Sequence, residues 1–403
     1  MRLRDWLPLV GISICVFIFN MSEFMPIGLL TGIAEDFSIS ESQAGLIISM
    51  YAWAVAILSL PMMLLLRKME YRRMLLMCVL LFAIFQFMSG VSTSYWMLVV
   101  SRIGVAVAHA VFWSIAAPLA VRVVEPRYSK VAISAVATGT SVAMIVGLPL
   151  GRVIGLALGW RMSFMTIAVI AVVALALLVA VFPKLSNPGT FTLERVPSIF
   201  RSRAITGIYI LVITAVIGYY TTYSYIEPFL GQVAGMSDTM ITVCLTVFGI
   251  FGIIGSILFS KFYGRFRFRY LVAALAGSAI IILLFRPSAD VYLGPVLVCA
   301  VWGLCVTSFN VSTQNEIIWV SESDATPIVM SLYSGLYNVG IASGSLIGGA
   351  VTDVSVSNIG YVGGAFLAVA TLFTALYLVK VLRRAGESKA QAPDSEHGRI
   401  ERL

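Results

Sequence analysis

Twelve long apolar runs, parted by short connectors, take up most of this 403-residue chain. Their approximate limits are 7–31, 43–66, 73–92, 95–123, 131–158, 162–182, 204–230, 239–260, 269–286, 291–319, 327–351 and 359–382. A helix needs about 20 apolar residues to cross a bilayer. Backbone groups at that depth must be satisfied within the protein, which leaves helices as the form for runs of this length. With 60% hydrophobic and 11% charged residues, and a mean hydropathy of +0.97, a soluble domain of this size is excluded. The expectation is an all-α membrane protein with twelve transmembrane helices. The basic start "MRLRDWLPLVG" has no small-residue cleavage site and reads as an uncleaved first helix.

Charge in the connectors sets the expected orientation. With the N-terminus in the cytoplasm, 23 of the 27 lysines and arginines fall in inner segments and the tail. Arg161 and Arg286 fall in outer loops, and Arg102 and Arg152 lie within spans. An even number of spans puts both termini inside, which suits a multi-pass protein of a bacterial inner membrane. The net charge of +8 is spread over loops rather than gathered in a patch, so it is no nucleic-acid signal. Cys15, Cys78, Cys244, Cys299 and Cys305 fall in apolar spans without metal-ligand spacing and read as reduced packing residues.

The longest internal connector, 183–203, reads "PKLSNPGTFTLERVPSIFRSR" and divides the chain into 1–182 and 204–382, with a tail at 383–403. The two parts echo each other. "SEFMP" at 22–26 recurs loosely as "YIEPF" at 225–229, and "GLPLGRVIG" at 147–155 falls on "GSLIGGAVT" at 344–352. Two pseudo-symmetric six-helix bundles with a substrate site between them near the midplane are therefore expected.

Polar residues inside the spans mark the candidate site. Glu23 lies well within span one, with Asn20 one turn before it and Pro26 just after. A charge there costs roughly 2.5–3.5 kcal/mol or more, so it should face protein or water and have a partner. A proton-binding role follows as the expectation. In span four Arg102, Ala106, His109 and Trp113 share one helical face. At about 1.5 Å per residue Arg102 lies roughly 10 Å from His109, and Glu23 should fall between their levels. Either can pair with the carboxylate. His109 titrates near neutral pH, which suits a proton relay, while a structural counter-ion role stays open for Arg102. Gly147, Pro149, Gly151 and Arg152 form a small-residue stretch of span five that reads first as a helix-packing seam.

The second half supplies phenols and amides. Tyr220, Tyr223 and Glu227 recur at helical spacing in span seven, with Glu227 near the outer end and expected to meet solvent. Asn310 and Asn338 lie in spans ten and eleven. Such a lining without a dense charge cluster suits a neutral hydroxylated ligand; interhelical hydrogen bonding is the competing reading. The sequence has no G-x-x-x-x-G-K-[ST] or H-E-x-x-H motif. Transport would therefore draw on an ion gradient, and no enzyme activity, metal or cofactor is expected.

"FIFNMSEFMPIGLLTGIAEDF", "YAWAVAILSLP", "SRIGVAVAHAVFWSIAAPLAVR", "ATGTSVAMIVGLPLGRVIGLALGWRMSF" and "YSYIEPFL" resemble the bacterial sugar efflux transporters. These form part of the drug:proton antiporter branch of the major facilitator superfamily. The resemblance implies proton coupling through Glu23, His109 and Arg102, and an antiporter motif at Gly147, Pro149, Gly151 and Arg152. Expected substrate contacts are Asn20, Tyr51, Trp113, Tyr220, Tyr223, Asn310 and Asn338, joined by His109. It implies export of sugars in exchange for protons by a monomer, with multidrug or purine/nucleoside efflux as the alternative on the same fold. A membrane sensor that binds sugar without moving it is a third reading. One departure stands out: "LLLRKMEYRRMLL" keeps Arg72 and Arg73 but lacks the Gly and Asp usual in the loop between spans two and three.

Overall fold

The computed structural model describes residues 3–66, 68–186, 196–322 and 325–391. Arg67, the middle of the expected linker (187–195) and the end of the expected tail (392–403) lie outside the described residues.

The elements are α1 (Leu3–Phe24), α2 (Leu30–Phe37), α3 (Glu41–Leu66), α4 (Tyr71–Gly90), α5 (Tyr95–Arg122), α6 (Ser129–Val142), α7 (Leu148–Leu158) and α8 (Trp160–Val181). The second half adds α9 (Val196–Arg201), α10 (Arg203–Tyr223), α11 (Ile226–Pro228), α12 (Asp238–Leu283), α13 (Phe285–Ser288), α14 (Gly294–Val320), α15 (Thr326–Ser355), α16 (Ile359–Phe373) and α17 (Val379–Gln391). No strand occurs among the described residues.

Ten helical stretches among the described residues are long and apolar enough to cross a membrane. Two of them are double. At about 1.5 Å per residue the 46 residues of α12 extend roughly 69 Å, more than twice a hydrocarbon core of about 30 Å. Its backbone leaves helical geometry at Phe266 (φ −125°, ψ 20°), dividing it into two passes. The stretch Ile328–Glu387 is likewise interrupted by the 3-10 turn Val356–Asn358. The twelve expected passes are thus recovered.

Proline explains the breaks that shape the interior. Pro26 has no N–H to continue the α1 ladder, and its ring crowds the carbonyl four residues back. The chain passes through a 3-10 turn, Met25–Leu29, and starts afresh as α2. Pro149 acts similarly in span five, where the turn before it widens to a π-helix at Ala143–Gly147. A corner at Gly159, with φ +88°, joins α7 to α8.

Helices of the first half pack on one another, α1 on α6 and α8, α4 on α5 and α8, and α3 on α5. Those of the second half do the same, α12 on α14 and α10 on α15 and α16. The halves meet where α3 runs against α15 and where α12 meets the π-turn between α6 and α7. Aromatic stacks fill each interior: Phe19 lies between Phe82 and Phe112 at 4.0 and 4.2 Å, and Phe229 lies on Phe285 at 4.0 Å. Apolar side chains also cover the outer surface, Ile57, Val173 and Leu376 among them. A helix that is apolar all round faces lipid or core. The short turns at 38–40, 91–94, 234–237 and 356–358 share one end, here termed charge-poor for its scarcity of lysine and arginine; the basic connectors gather at the other.

Candidate functional site

The centre of the molecule holds one carboxylate, one imidazole and one guanidinium. Glu23, on the last turn of α1, brings Oε2 to 3.8 Å from Nε2 of His109 on α5. The other imidazole nitrogen, Nδ1, shares a 2.6 Å hydrogen bond with the Tyr51 hydroxyl of α3. Arg102 is 1% exposed and does not reach the carboxylate within ion-pair distance among the described residues. Its Nη1 donates to Ser22 Oγ at 2.9 Å, and its guanidinium lies 4.4 Å above the Tyr51 ring. Ser22 in turn donates to Gln86 Oε1 at 3.2 Å. Arg102 is thus bonded to the residue next to Glu23 rather than to its carboxylate. Asn20 turns back on its own helix and donates to the Val16 carbonyl at 2.9 Å. The Trp113 ring stands 6.0 Å from His109.

The second half presents a wall of phenols. Tyr220 and Tyr337 are the phenols of the second half that lie near enough to Glu23 to feel its charge. Tyr337 donates to Asn310 Oδ1 at 3.2 Å. Asn338 donates to the Ser334 carbonyl at 3.0 Å, leaving its buried Oδ1 without a partner among the described residues. Tyr223 sits deeper: it stacks on Tyr219 at 4.9 Å and meets Trp302 edge-on. Glu23, His109, Arg102, Tyr51, Trp113 and Tyr220 thus belong to one neighbourhood. Tyr223 belongs to an aromatic core behind it, and Tyr51 is committed to His109 and Arg102.

Span five is a packing seam and more. A Cβ on Gly147 would lie 3.2 Å from the Met21 backbone, and one on Gly151 would lie 2.8 Å from the Met25 sulfur, so only small residues let α7 approach the first span this closely. Arg152 then reaches out of the first half. It donates to the Gly28 carbonyl (2.7 Å), to Glu227 Oε1 (3.0 Å) and to Asp238 Oδ1 (2.7 Å). Glu227 is 6% exposed, which corrects the expectation that it meets solvent: the Arg152 charge and two donors from Thr31 replace its hydration.

Gln86, Ser22 and Tyr337 belong to the centre although no motif marks them; a lone amide in the apolar run "FAIFQFMSG" was the available signal for Gln86. A second buried acid, Glu316, accepts from Tyr263 and takes a bidentate pair from Arg267 at 2.5 and 2.7 Å at the basic end. The five cysteines are free and buried. Among the described residues no cluster of three or more His, Cys, Asp or Glu could hold a metal ion.

The profile of the family described as Major Facilitator Superfamily matches residues 12–318. A solved structure of a bacterial homologue of the human lysosomal transporter Spinster, inward-facing and unoccupied, superposes with a TM-score of 0.70 at 14% identity, covering 98% of this chain and 100% of that one. The peptide transporter POT in complex with sulfate superposes with a TM-score of 0.72 at 14% identity, covering 94% of this chain and 95% of that one. At these identities the likeness is one of fold.

Proposed function

The chain belongs to the Major Facilitator Superfamily, a family of membrane transporters rather than enzymes, and on that premise we propose that it exports sugars or sugar-like molecules from a bacterial cytoplasm in exchange for protons. The observation that carries this reading is the Glu23–His109–Tyr51 chain within the spanning helices, near the Tyr220 and Tyr337 phenols of the second half. A lone carboxylate in a spanning helix marks an ion or proton path. His109 supplies a neighbour that can share its proton.

In the proposed cycle, residues 1–182 and 204–382 move as two bodies joined by 183–203. Glu23 takes up a proton while the cavity faces the charge-poor side, taken as the outside. Neutral Glu23 allows the bodies to rock. Release on the basic side restores a carboxylate that His109 and Arg102 balance, and the vacated cavity takes up substrate. Tyr220, Tyr337, Asn310 and the free Oδ1 of Asn338 offer hydroxyl and amide groups to a polyol, with flat rings for its apolar faces.

A lipophilic cation is the second reading, because aromatic rings beside one carboxylate attract such ligands. Arg102 argues against it. The charge of Glu23 is already offset by a buried guanidinium, so a cation gains little net attraction while a neutral ligand loses nothing.

The test uses purified protein in proteoliposomes holding a pH-sensitive dye. Addition of an arabinose-type sugar is expected to drive proton movement that Glu23→Gln abolishes. Proton-coupled export at the normal rate in Glu23→Gln would sink the mechanism. Proton flux elicited by a lipophilic cation but not by sugar would move the assignment to drug efflux.

A further inference from the structure

Hydrogen bonds and ion pairs that join the first half of the chain to the second gather at the charge-poor end. The Pro26 break ends one helix and begins another there, so the N–H of Thr31 has no carbonyl behind it to bond. Glu227 fills that vacancy from the other half, accepting from the Thr31 N–H at 3.0 Å and the Thr31 hydroxyl at 2.7 Å. A carboxylate at a helix start is favoured by charge as well as by hydrogen bonding. Arg152 braces it at 3.0 Å and adds Asp238, so one guanidinium ties α7 to the 3-10 turn of span one, to α11 and to α12. Gln232 donates to Glu41 Oε1 at 2.6 Å across the same seam.

A steric fit accompanies the charges. The Tyr225 ring lies between α3 and α15, where a Cβ on Gly349 would be 2.7 Å from its hydroxyl. That hydroxyl donates to the Ser345 carbonyl. Toward the basic end, Leu65 of α3 is 72% exposed, and a Cβ on Gly335 of α15 would meet nothing within 4 Å.

We propose that Glu227, Arg152 and Thr31 form a latch that holds the charge-poor end shut, and that releasing it opens the seam between the halves toward that end. The latch follows from fold and contacts alone and holds whatever the protein carries. Breaking one member of a buried ion pair leaves the other charge unpaired. In the closed state that charge is Arg152, sealed in the seam with only the exposed Asp238 carboxylate left to balance it; on opening it meets water. Loss of Glu227 therefore weakens the closed state selectively.

Spin labels on Trp96→Cys and Tyr292→Cys report the charge-poor end, and labels on Lys68→Cys and Lys261→Cys report the basic end. All four positions are exposed, one of each pair lies in each half, and the native cysteines are buried. Glu227→Gln is expected to lengthen the 96–292 distance by several ångströms and shorten the 68–261 distance. Thr31→Val, which removes one donor and keeps the shape, is expected to shift both part of the way. Lengthening at 96–292 with an unchanged 68–261 distance would mean local fraying and overturn the latch. So would distributions that match the unsubstituted protein in both variants. Should Glu227→Gln fail to fold, Thr31→Val decides by the same criterion.

Discussion

His109 has two ring nitrogens, and the structure engages both. If the Tyr51 hydroxyl donates to Nδ1, a neutral ring carries its proton on Nε2 and directs it at Glu23. The 3.8 Å separation is longer than a hydrogen bond and must shorten before a proton can be shared. Tyr51 thus orients the ring, and Tyr51→Phe removes that control while keeping the surface on which Arg102 lies. The loss of one neutral hydrogen bond is about 1 kcal/mol; taken wholly from the transport step, it corresponds to roughly a fivefold drop in sugar-driven proton flux, measurable in the same proteoliposomes. Glu23, Arg102 and His109 were legible because ionisable side chains are rare in apolar runs. Glu227 carried the same signal but was assigned to solvent, since its partner Arg152 lies 75 positions away in sequence.

At the level of elements, helix closeness depends on what is missing from the interface. Gly218 of α10 faces Gly363 of α16 so tightly that a Cβ would lie 2.6 Å from the Gly363 carbonyl oxygen. Backbone cannot yield as a flexible side chain can. Gly218→Val is expected to lower stability by about 1–3 kcal/mol through overpacking, read as an earlier loss of the monodisperse peak when heated samples are run by size exclusion. Prolines set the other property of the elements. The local breaks at Pro26 and Pro149 follow from proline chemistry. That one break supplies a donor to a carboxylate of the opposite half was not visible, because a helix start names no partner.

At the scale of the whole molecule, charge predicts orientation. The basic end should face the cytoplasm, so a reporter that fluoresces only in the cytoplasm, fused after Gln391, is expected to be active, while one that works only outside is expected to be silent. The reverse pattern would invert the direction of export. Composition and run length by themselves determined that the chain crosses a membrane as helices, because a bilayer leaves few ways to satisfy a backbone. They also determined how many crossings there are, and which few side chains are costly to bury. Tertiary packing alone decided that His109 rather than Arg102 stands beside Glu23, that Tyr51 holds His109 instead of lying free, and that Glu227 closes onto Arg152. The physical reason is one of range. The cost of burying a charge is a property of one residue and its neighbours in sequence, whereas its compensation comes from whatever the fold brings within a few ångströms.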